Sequence, residues 1–313
     1  MHAPTRIAGG VSELKKILVI GSLNLDIVAK ADRIPATGET VLARYGGQFG
    51  GGKGANQALA VAKLGGDVTM LGAVGADAAG DFLLRSLREN GVNVENVMRV
   101  PTEPTGQAWI VLNSRGDNSI VVLSGANSCV DAAYIDSMRP VIERADIVIM
   151  QLEIPIETVC HAACLAGSLG KTVILDPAPA VPDLPGELLA NIDYVKPNET
   201  ELELLTGCPT GEHQKGAQQL LVRGCKNVIV SLGERGVFCH ESGKEAFYMP
   251  ALPVKAVDTT AAGDSFLAAF ALGLARGESV RACADFAQRV ASIVVTRPGA
   301  QSSMPAAAEL GKL

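Results

Sequence analysis

Short apolar segments separated by helical patterns recur along the chain. The segment KILVIGS at 16–22 precedes a helical pattern over 55–64, and the segment at 67–75 precedes another helical pattern over 81–91. Continuous apolar runs of this length are typical of strands buried on both faces, and their alternation with helices predicts a mostly parallel sheet covered on both sides. Further runs of the same kind lie at 147–153, 171–177, 193–197 and 227–233.

Two regions depart from this alternation. The segment 27–48 has the pattern of short polar strands around a Pro/Gly turn, and 107–124 has the pattern of a hairpin with its tip at 115–118. We predict that both are antiparallel, less buried, and inserted as a small β-sheet lid over the main sheet. Because no repeat or long linker interrupts the chain, we expect one domain over residues 1–313.

Composition and charge narrow the class of protein. The chain has 313 residues, 48% of them apolar, and 34 glycines, which suits an α/β domain with a large core. A net charge of −6 argues against a general nucleic-acid or anionic-membrane binder. No apolar run approaches the roughly 18 residues of a membrane-spanning helix, and the N-terminal residues have no signal-peptide pattern. The C-terminal GKL resembles a peroxisomal address only by chance.

Cysteine usage points to a reducing compartment. The seven cysteines are odd in number and mostly scattered, which is typical of free thiols in a cytosolic protein. Cys160 and Cys164 lie one helical turn apart and could bind a metal, but no second pair with suitable spacing exists. We therefore favour packing of small side chains on a helix.

The segment GGQFGGGKGANQA at 46–58 is close to a phosphate-binding P-loop. A P-loop needs Ser or Thr after its lysine, whereas Gly54 follows Lys53 here, so the P-loop interpretation is poor. The glycines would let backbone N–H groups approach a polar ligand, and Lys53 and Asn56 would add an ammonium and an amide. The alternative is a glycine-rich turn that requires unusual backbone angles.

Two polar residues follow the first strand. Asn24 and Asp26 lie two residues apart, so in extended chain they face the same side. An amide and a carboxylate together can bind neighbouring hydroxyls of a polyol. The alternative is that both are turn residues at the end of a strand.

Asn198 and Glu201 have the spacing of a capping box at the start of a helix. That structural role explains both residue types. A functional interpretation adds Mg²⁺ held by Glu201 through water, because nucleotide-bound Mg²⁺ keeps several waters and takes few protein carboxylates.

The segment DTTAAGDSF at 258–266 carries the most specific chemistry. Small residues at a helix N-terminus leave N–H groups free at the positive end of the helix dipole, which favours phosphate. Asp264 lies in the first turn, where a carboxylate can accept the proton of an attacking hydroxyl during phosphoryl transfer. The alternative is that Asp264 only complements the dipole.

Seven motifs occur in one order over nearly the whole chain: GSLNLD, GGKGANQA, MQLE, NETE, SLGERG, DTTAAGDSF and VTRPGAQSS. Together they resemble the ribokinase family of carbohydrate and nucleoside kinases. The resemblance implies a three-layer ribokinase-like α/β fold with a lid, and ATP-dependent phosphorylation of D-ribose at the 5-hydroxyl. Another sugar or nucleoside (deoxyribose, fructose, adenosine) and a catalytically silent sugar-binding regulator remain alternatives.

The same resemblance assigns roles by position. It implies that Asp264 is the general base and that the anion hole is formed by backbone amides of Ala261, Ala262 and Gly263. It implies a sugar site formed by Asn24, Asp26, Gly52, Lys53, Asn56, Glu153 and Asp264. It implies an ATP site formed by Asn198, Ser231, Leu232, Gly233, Glu234, Arg235, Gly236, Gly263 and Gln288.

The family also implies cations and a partner. Mg²⁺ would lie near Glu201 through water, and K⁺ would activate the enzyme from a site formed by Asp258, Thr260, Val294, Arg297, Gly299 and Ser303. A homodimer through the lid is expected, with no nucleic acid or membrane partner.

Three residues raise further questions. Gln288 and Asp176 stand where the family usually has Asn; Gln288 could shift the preferred nucleobase or repack, and we expect Asp176 to be tolerated. Trp109, the only tryptophan, could line the sugar pocket or a subunit contact.

Overall fold

The computed structural model describes residues 15–115 and 117–312, so the N-terminal segment, Gly116 of the hairpin tip and the final residue of GKL lie outside the described residues. The strands are β1 (Ile17–Ile20), β2 (Asn24–Lys30), β3 (Tyr45–Gly51), β4 (Val68–Leu71), β5 (Ala73–Gly75), β6 (Met98–Val100), β7 (Gly106–Leu112), β8 (Asn118–Leu123), β9 (Ile147–Met150), β10 (Thr172–Leu175), β11 (Tyr194–Val195), β12 (Asn227–Ser231), β13 (Val237–Glu241) and β14 (Phe247–Met249). The α-helices are α1 (Lys53–Lys63), α2 (Ala78–Glu89), α3 (Ala132–Ser137), α4 (Arg139–Arg144), α5 (Ile156–Ser168), α6 (Gly186–Ala190), α7 (Glu199–Thr206), α8 (His213–Val222), α9 (Ala262–Ala275) and α10 (Val280–Val294).

The main sheet has the strand order β14-β13-β12-β11-β10-β9-β1-β4. The strands from β12 to β4 are parallel, and β13 and β14 add an antiparallel edge. The prediction of a mostly parallel sheet is confirmed.

Helices cover both faces of this sheet. Ile17 and Val19 of β1 pack into a core with α1, α2, α9 and α10, whereas Leu18 and Ile20 pack into a second core with α3 to α8. Because successive residues of a strand face opposite layers, the residues on both faces of the strand must be apolar. This explains the continuous apolar runs in the sequence.

The predicted strand at 67–75 is divided in two. β4 belongs to the main sheet, while β5 pairs with β6 in a separate two-stranded sheet. The break falls at Gly72, where a Cβ would come within 2.4 Å of the carbonyl oxygen of Gly21. The chain therefore bends where it packs closely against the end of β1, and a continuous apolar run does not reveal such a bend.

The lid is a four-stranded sheet with the order β3-β2-β7-β8. The pairs β2–β3 and β7–β8 are antiparallel, as predicted, but β2 and β7 are parallel. Both predicted antiparallel regions are confirmed, and the parallel pairing of β2 with β7, for which we had no prediction, joins them into one sheet. These two strands lie far apart in sequence, so no turn between them determines their relative direction.

The cysteines and the helices give two further observations. All seven cysteines are free. Among residues 15–115 and 117–312, no helix is long and apolar enough to cross a membrane.

Candidate active site

Polar side chains gather at the carboxyl ends of the central strands. The chain passes from β1 to β4 on one side and later places β9 on the other side of β1. A crevice is expected where the strand order reverses in this way, outside the carboxyl ends of the strands. The polar residues that follow the carboxyl ends of these strands include Asn24, Asp26, Glu153, Asp176 and Lys196.

Asp264 lies in the first turn of α9 and is 6% exposed. Its Oδ2 accepts a hydrogen bond from Asn56 Nδ2 at 3.0 Å, and its Oδ1 accepts one from Gln57 Nε2 at 3.1 Å. Both donors come from α1, so the packing of α1 against α9 orients the carboxylate. A carboxylate held in this way can accept a proton from a hydroxyl that lies within hydrogen-bonding distance.

The N-terminus of α9 is open to an anion. Ala261 adopts a left-handed conformation with φ of 59° and gives the helix no side-chain cap. Among the described residues, the N–H groups of Ala261, Gly263 and Asp264 donate no hydrogen bond, while Ala262 N–H donates to Thr259 O at 3.2 Å. Of the three predicted anion-hole amides, Ala262 is therefore already used, and the amide of Asp264 joins the free ones.

The glycine-rich loop packs tightly against the end of β1. Gly52 has φ of 86°, and a Cβ there would come within 2.7 Å of the backbone nitrogen of Asn24. The amides of Gly54 and Ala55 donate to the Oγ and carbonyl oxygen of Ser22 at 3.3 and 2.9 Å. These amides serve the turn itself, so the loop offers a ligand fewer backbone donors than its glycine content suggests.

Glu153 ties this loop to the main sheet. Its Oε2 accepts hydrogen bonds from the Ser22 hydroxyl and, at 3.0 Å, from the Lys53 backbone amide. One carboxylate thus joins the residues after β9 to the end of β1 and to the start of α1. The predicted ligand-binding carboxylate also has a structural role.

Asn24 and Asp26 are brought together on one face of β2. Asn24 is buried, and its Oδ1 accepts from Asn127 Nδ2 at 2.8 Å, which leaves its own Nδ2 without a partner among the described residues. Burial raises the pKa of Asp26 to about 7, and the carboxylates of Glu153 and Asp264 add to the rise. An amide donor and a carboxylate therefore face the same crevice.

Lys53 lies half-buried among the acidic groups. Burial alone would lower the pKa of its ammonium, but the carboxylates of Asp264, Asp176 and Glu153 raise that pKa above its usual value. The ammonium remains charged and offsets the negative charge of the crevice.

The residues predicted to bind nucleotide flank β12 and the start of α7. Asn198 and Glu201 form the predicted capping box, with both hydrogen bonds 2.8 Å long. Asn198 pairs with Ser231 through an isolated bridge, so the loop 231–236 lies beside it. In that loop Arg235 forms an ion pair with Glu199.

Gln288 is buried on α10. Its Nε2 donates to the carbonyl oxygens of Pro250 at 2.9 Å and Met249 at 3.3 Å. The amide nitrogen therefore holds the chain after β14. Of the two possibilities that the sequence left open, this geometry favours repacking.

The residues predicted to bind K⁺ come from two segments that contact each other. Asp258 Oδ1 accepts from Thr260 N at 2.9 Å, and its Oδ2 accepts from Gly299 N at 2.8 Å. Partial burial alone would raise the pKa of Asp258, but these hydrogen bonds lower it.

The other predicted K⁺ ligands are partly used within the chain. Val294 O accepts from Arg297 N at 3.0 Å, and the Ser303 hydroxyl donates to Ala300 O. In the described chain the carbonyls of Thr260, Arg297 and Gly299 accept no hydrogen bond.

Three residues of the site were missed from the sequence, and a fourth was noted only as a substitution. Gln57, Gln151 and Lys196 join Asp176 in a buried cluster behind Asp264. All except Gln57 follow a parallel strand of the main sheet, which is the signal that could have identified them. Gln57 has no such signal, because on a helix it has the pattern of an ordinary polar residue.

Trp109 lies on the outer face of the lid. It pairs with Ile27 and Val121, whereas Asp26 pairs with Ala108 on the opposite face of the same sheet. Because paired residues share a face, Trp109 points away from the crevice. This placement disfavours the sugar-pocket interpretation.

Comparisons with known proteins show the family to which the chain belongs. The model of the pfkB family of carbohydrate kinases matches residues 14–307. The chain is 40% identical over 306 residues to the ribokinase of Schizosaccharomyces pombe, covering 94% of this chain and 96% of that protein. It is 39% identical over 292 residues to a deoxyribokinase of Salmonella typhi, covering 92% of this chain and 95% of that one.

Among solved structures, the chain is similar to Arabidopsis thaliana ribokinase complexed with ribose and ATP. The TM-score is 0.90 at 38% identity, over 95% of this chain and 98% of that one. The expected three-layer ribokinase-like α/β fold is confirmed.

Proposed function

Because the chain belongs to the pfkB family of carbohydrate kinases, we propose that it transfers the γ-phosphoryl group of ATP to the 5-hydroxyl of D-ribose. The product is D-ribose 5-phosphate. The observation that carries the proposal is Asp264, a buried carboxylate held by two amide donors at a helix N-terminus whose own amides are free. The catalytic unit is one domain with an inserted lid.

The proposed mechanism begins with the sugar bound between Asn24, Asp26 and Lys53. These groups orient its hydroxyls, and Glu153 and Asn56 fix the loop around it.

Asp264 accepts the proton of the attacking hydroxyl as the oxygen bonds to phosphorus. The free amides of Ala261 and Gly263 stabilise charge on the transferred group, and positioning of this kind supplies most of the catalysis in phosphoryl transfer.

ATP is assigned to the side of the crevice formed by the loop 231–236 and Asn198. Leu232, Gly233, Glu234 and Gly236 contribute the loop backbone.

Mg²⁺, when bound, neutralises phosphate charge. Glu201 suits a contact through water, because its Oε2 serves the capping box while its Oε1 has no partner among the described residues. Burial, with the nearby Asp176, raises the pKa of Glu201 above its usual value, and a cation would reverse that effect.

K⁺ is assigned to the loops around Asp258. A carboxylate and several carbonyls without hydrogen-bond partners form a donor set of the hard oxygens that such a cation prefers. The free carbonyls belong to Thr260, Arg297 and Gly299, with Val294 and Ser303 nearby. Thr260 directly precedes the anion-hole segment, so a bound cation would stabilise that loop.

A homodimer through the outer face of the lid is also proposed. Trp109 is 54% exposed and Val121 is 67% exposed, and both lie on this face. A second copy presenting the same apolar face would bury them, as expected for a two-fold contact. We further propose a cytoplasmic location, which the seven free thiols support.

The activity is tested by coupled ADP release with ribose, deoxyribose, fructose, adenosine and uridine, each with and without K⁺. We expect turnover with ribose that K⁺ increases. Turnover with deoxyribose alone would favour the second candidate function, which the similarity to a deoxyribokinase supports. Ribose binding without any ADP release would instead indicate a silent sugar-binding protein.

A further inference from the structure

A buried ion pair lies behind the proposed base. Asp176 and Lys196 are 2% and 4% exposed, and Lys196 Nζ lies 3.4 Å from Asp176 Oδ1. They follow the adjacent parallel strands β10 and β11. Burying two charges is costly, and such a pair is weak evidence for stability by itself. The mechanism above assigns neither residue a role.

Gln57 connects this pair to Asp264. Its Nε2 donates to Asp264 Oδ1 at 3.1 Å and to Asp176 Oδ2 at 3.0 Å. Its Oε1 accepts from Gln151 Nε2 at 2.7 Å. The reversed amide would direct its carbonyl oxygen at two carboxylates, so the amide is fixed in the orientation that donates to Asp264.

Lys196 makes a second contact in the first turn of α9. Its Nζ lies 3.4 Å from the carbonyl oxygen of Gly263. The ammonium thus links Asp176 to the helix turn that carries both Asp264 and the free amides. Without it, Asp176 would be a buried carboxylate with no opposite charge in contact, separated from Asp264 by one shared amide.

Other charged groups also face Asp264. Asp26 and Lys53 interact with it directly across the crevice, and Glu153 and Glu201 interact with Lys53. Negative groups outnumber positive ones here. Loss of the Lys196 charge would therefore increase the electrostatic repulsion among the carboxylates of the cluster.

We propose that Asp176 and Lys196 are positioning residues for phosphoryl transfer. Acting through Gln57 and the Gly263 carbonyl, the pair holds Asp264 in its reactive orientation, and Lys196 compensates the negative charge of Asp176 beside it. The inference rests on the proposed kinase activity and adds residues to it.

The test compares the Lys196→Met variant with the double variant Lys196→Met/Asp176→Asn. We expect Lys196→Met to lower kcat about 100-fold, as for loss of an effective base. The sugar KM should change less than about threefold, because the pair touches no sugar-binding group directly. The acidic limb of the kcat–pH profile should move to higher pH, since an uncompensated carboxylate favours protonation of its neighbour.

The double variant decides between positioning and simple packing. It removes both charges, so kcat should recover at least about tenfold over Lys196→Met, and the acidic limb should return. The matched control is Lys226→Met, which removes a partner of Asp193 in an exposed ion pair 2.7 Å long. Its kcat should stay within about twofold of the unmodified chain.

Equal loss of kcat in Lys196→Met and the double variant, or an unmoved acidic limb, would overturn the proposal. If Lys196→Met does not fold, the double variant alone decides: an unchanged acidic limb with kcat within about tenfold of the unmodified chain supports it, and a greater loss overturns it. Absence of sugar-dependent ADP release in the unmodified chain would instead contradict the proposed function.

Discussion

The carboxyl end of the main sheet and the lid are built differently. At the sheet end, buried polar side chains are connected by hydrogen bonds, and Gln57 makes three of them. In the lid, every residue of β8 is exposed, and apolar side chains such as Val121 face solvent. Groups that must keep a fixed orientation lie on the rigid layers, whereas the lid presents surface that a ligand or a second copy can cover.

The largest expected effect comes from Asp264 at the rigid end. Asp264→Asn should lower kcat about a thousandfold or more, because an amide cannot accept the hydroxyl proton. The sugar affinity should change only modestly, which calorimetry of ribose binding would measure. Asp285→Asn makes the same chemical change in an exposed ion pair and serves as the control. An Asp264→Asn variant that kept most of its kcat would exclude the base assignment.

A smaller loss of catalytic efficiency is expected for a substitution where the lid joins the glycine loop. Gly52→Ala requires φ near 86° and places a Cβ within 2.7 Å of the Asn24 nitrogen, so the loop must shift. We expect kcat/KM for sugar to fall about 100-fold. Gly38→Ala, in the lid turn, also has positive φ (76°) but meets no atom within 4 Å. Equal losses in the two variants would show that backbone strain, and not crowding, is responsible.

Asp26 lies in the lid and interacts with carboxylates at the sheet end, so we expect its substitution to change the folding stability. Its pKa is raised from 3.8 to about 7, mainly by burial. As pH rises, the Asp26 carboxyl therefore loses its proton at a lower pH in the unfolded chain than in the folded chain. Folding stability is therefore lost between these two pH values and stays reduced above about 7. Asp26→Asn should raise Tm by about 3 °C at pH 8 and little at pH 4. Scanning calorimetry at both pH values tests this, and an equal gain at both would contradict it.

The smallest effect on turnover is expected at the outer face of the lid. Val121→Asp should convert the proposed dimer to monomers, because a carboxylate would be buried in the apolar contact. Its kcat should change less than about threefold, since Val121 lies away from the crevice. Sedimentation velocity measures the assembly. Val222→Asp, at a valine that is 78% exposed on α8, is the control. A monomeric unmodified chain would exclude the dimer.

Local pattern was enough for several features. Continuous apolar runs indicated the parallel strands, because a strand buried on both faces needs apolar residues at every position. The capping box at Asn198 and Glu201 was predicted because its two hydrogen bonds join residues three apart. Asp264 was predicted as a site residue because small residues precede it at a helix N-terminus, which is again a local signal.

Residue patterns along the chain were sufficient to predict the layers, the capping box of α7 and the residue types at the strand ends. Which of these groups meet depends on how the layers pack. Asn56 and Asp264 lie 208 positions apart, and Gln57 and Asp176 lie 119 apart. The parallel pairing of β2 with β7, the bend at Gly72 and the use of Gln288 as a structural donor depend equally on distant chain segments. Local propensity acts over a few residues, whereas these contacts form only when the layers pack together.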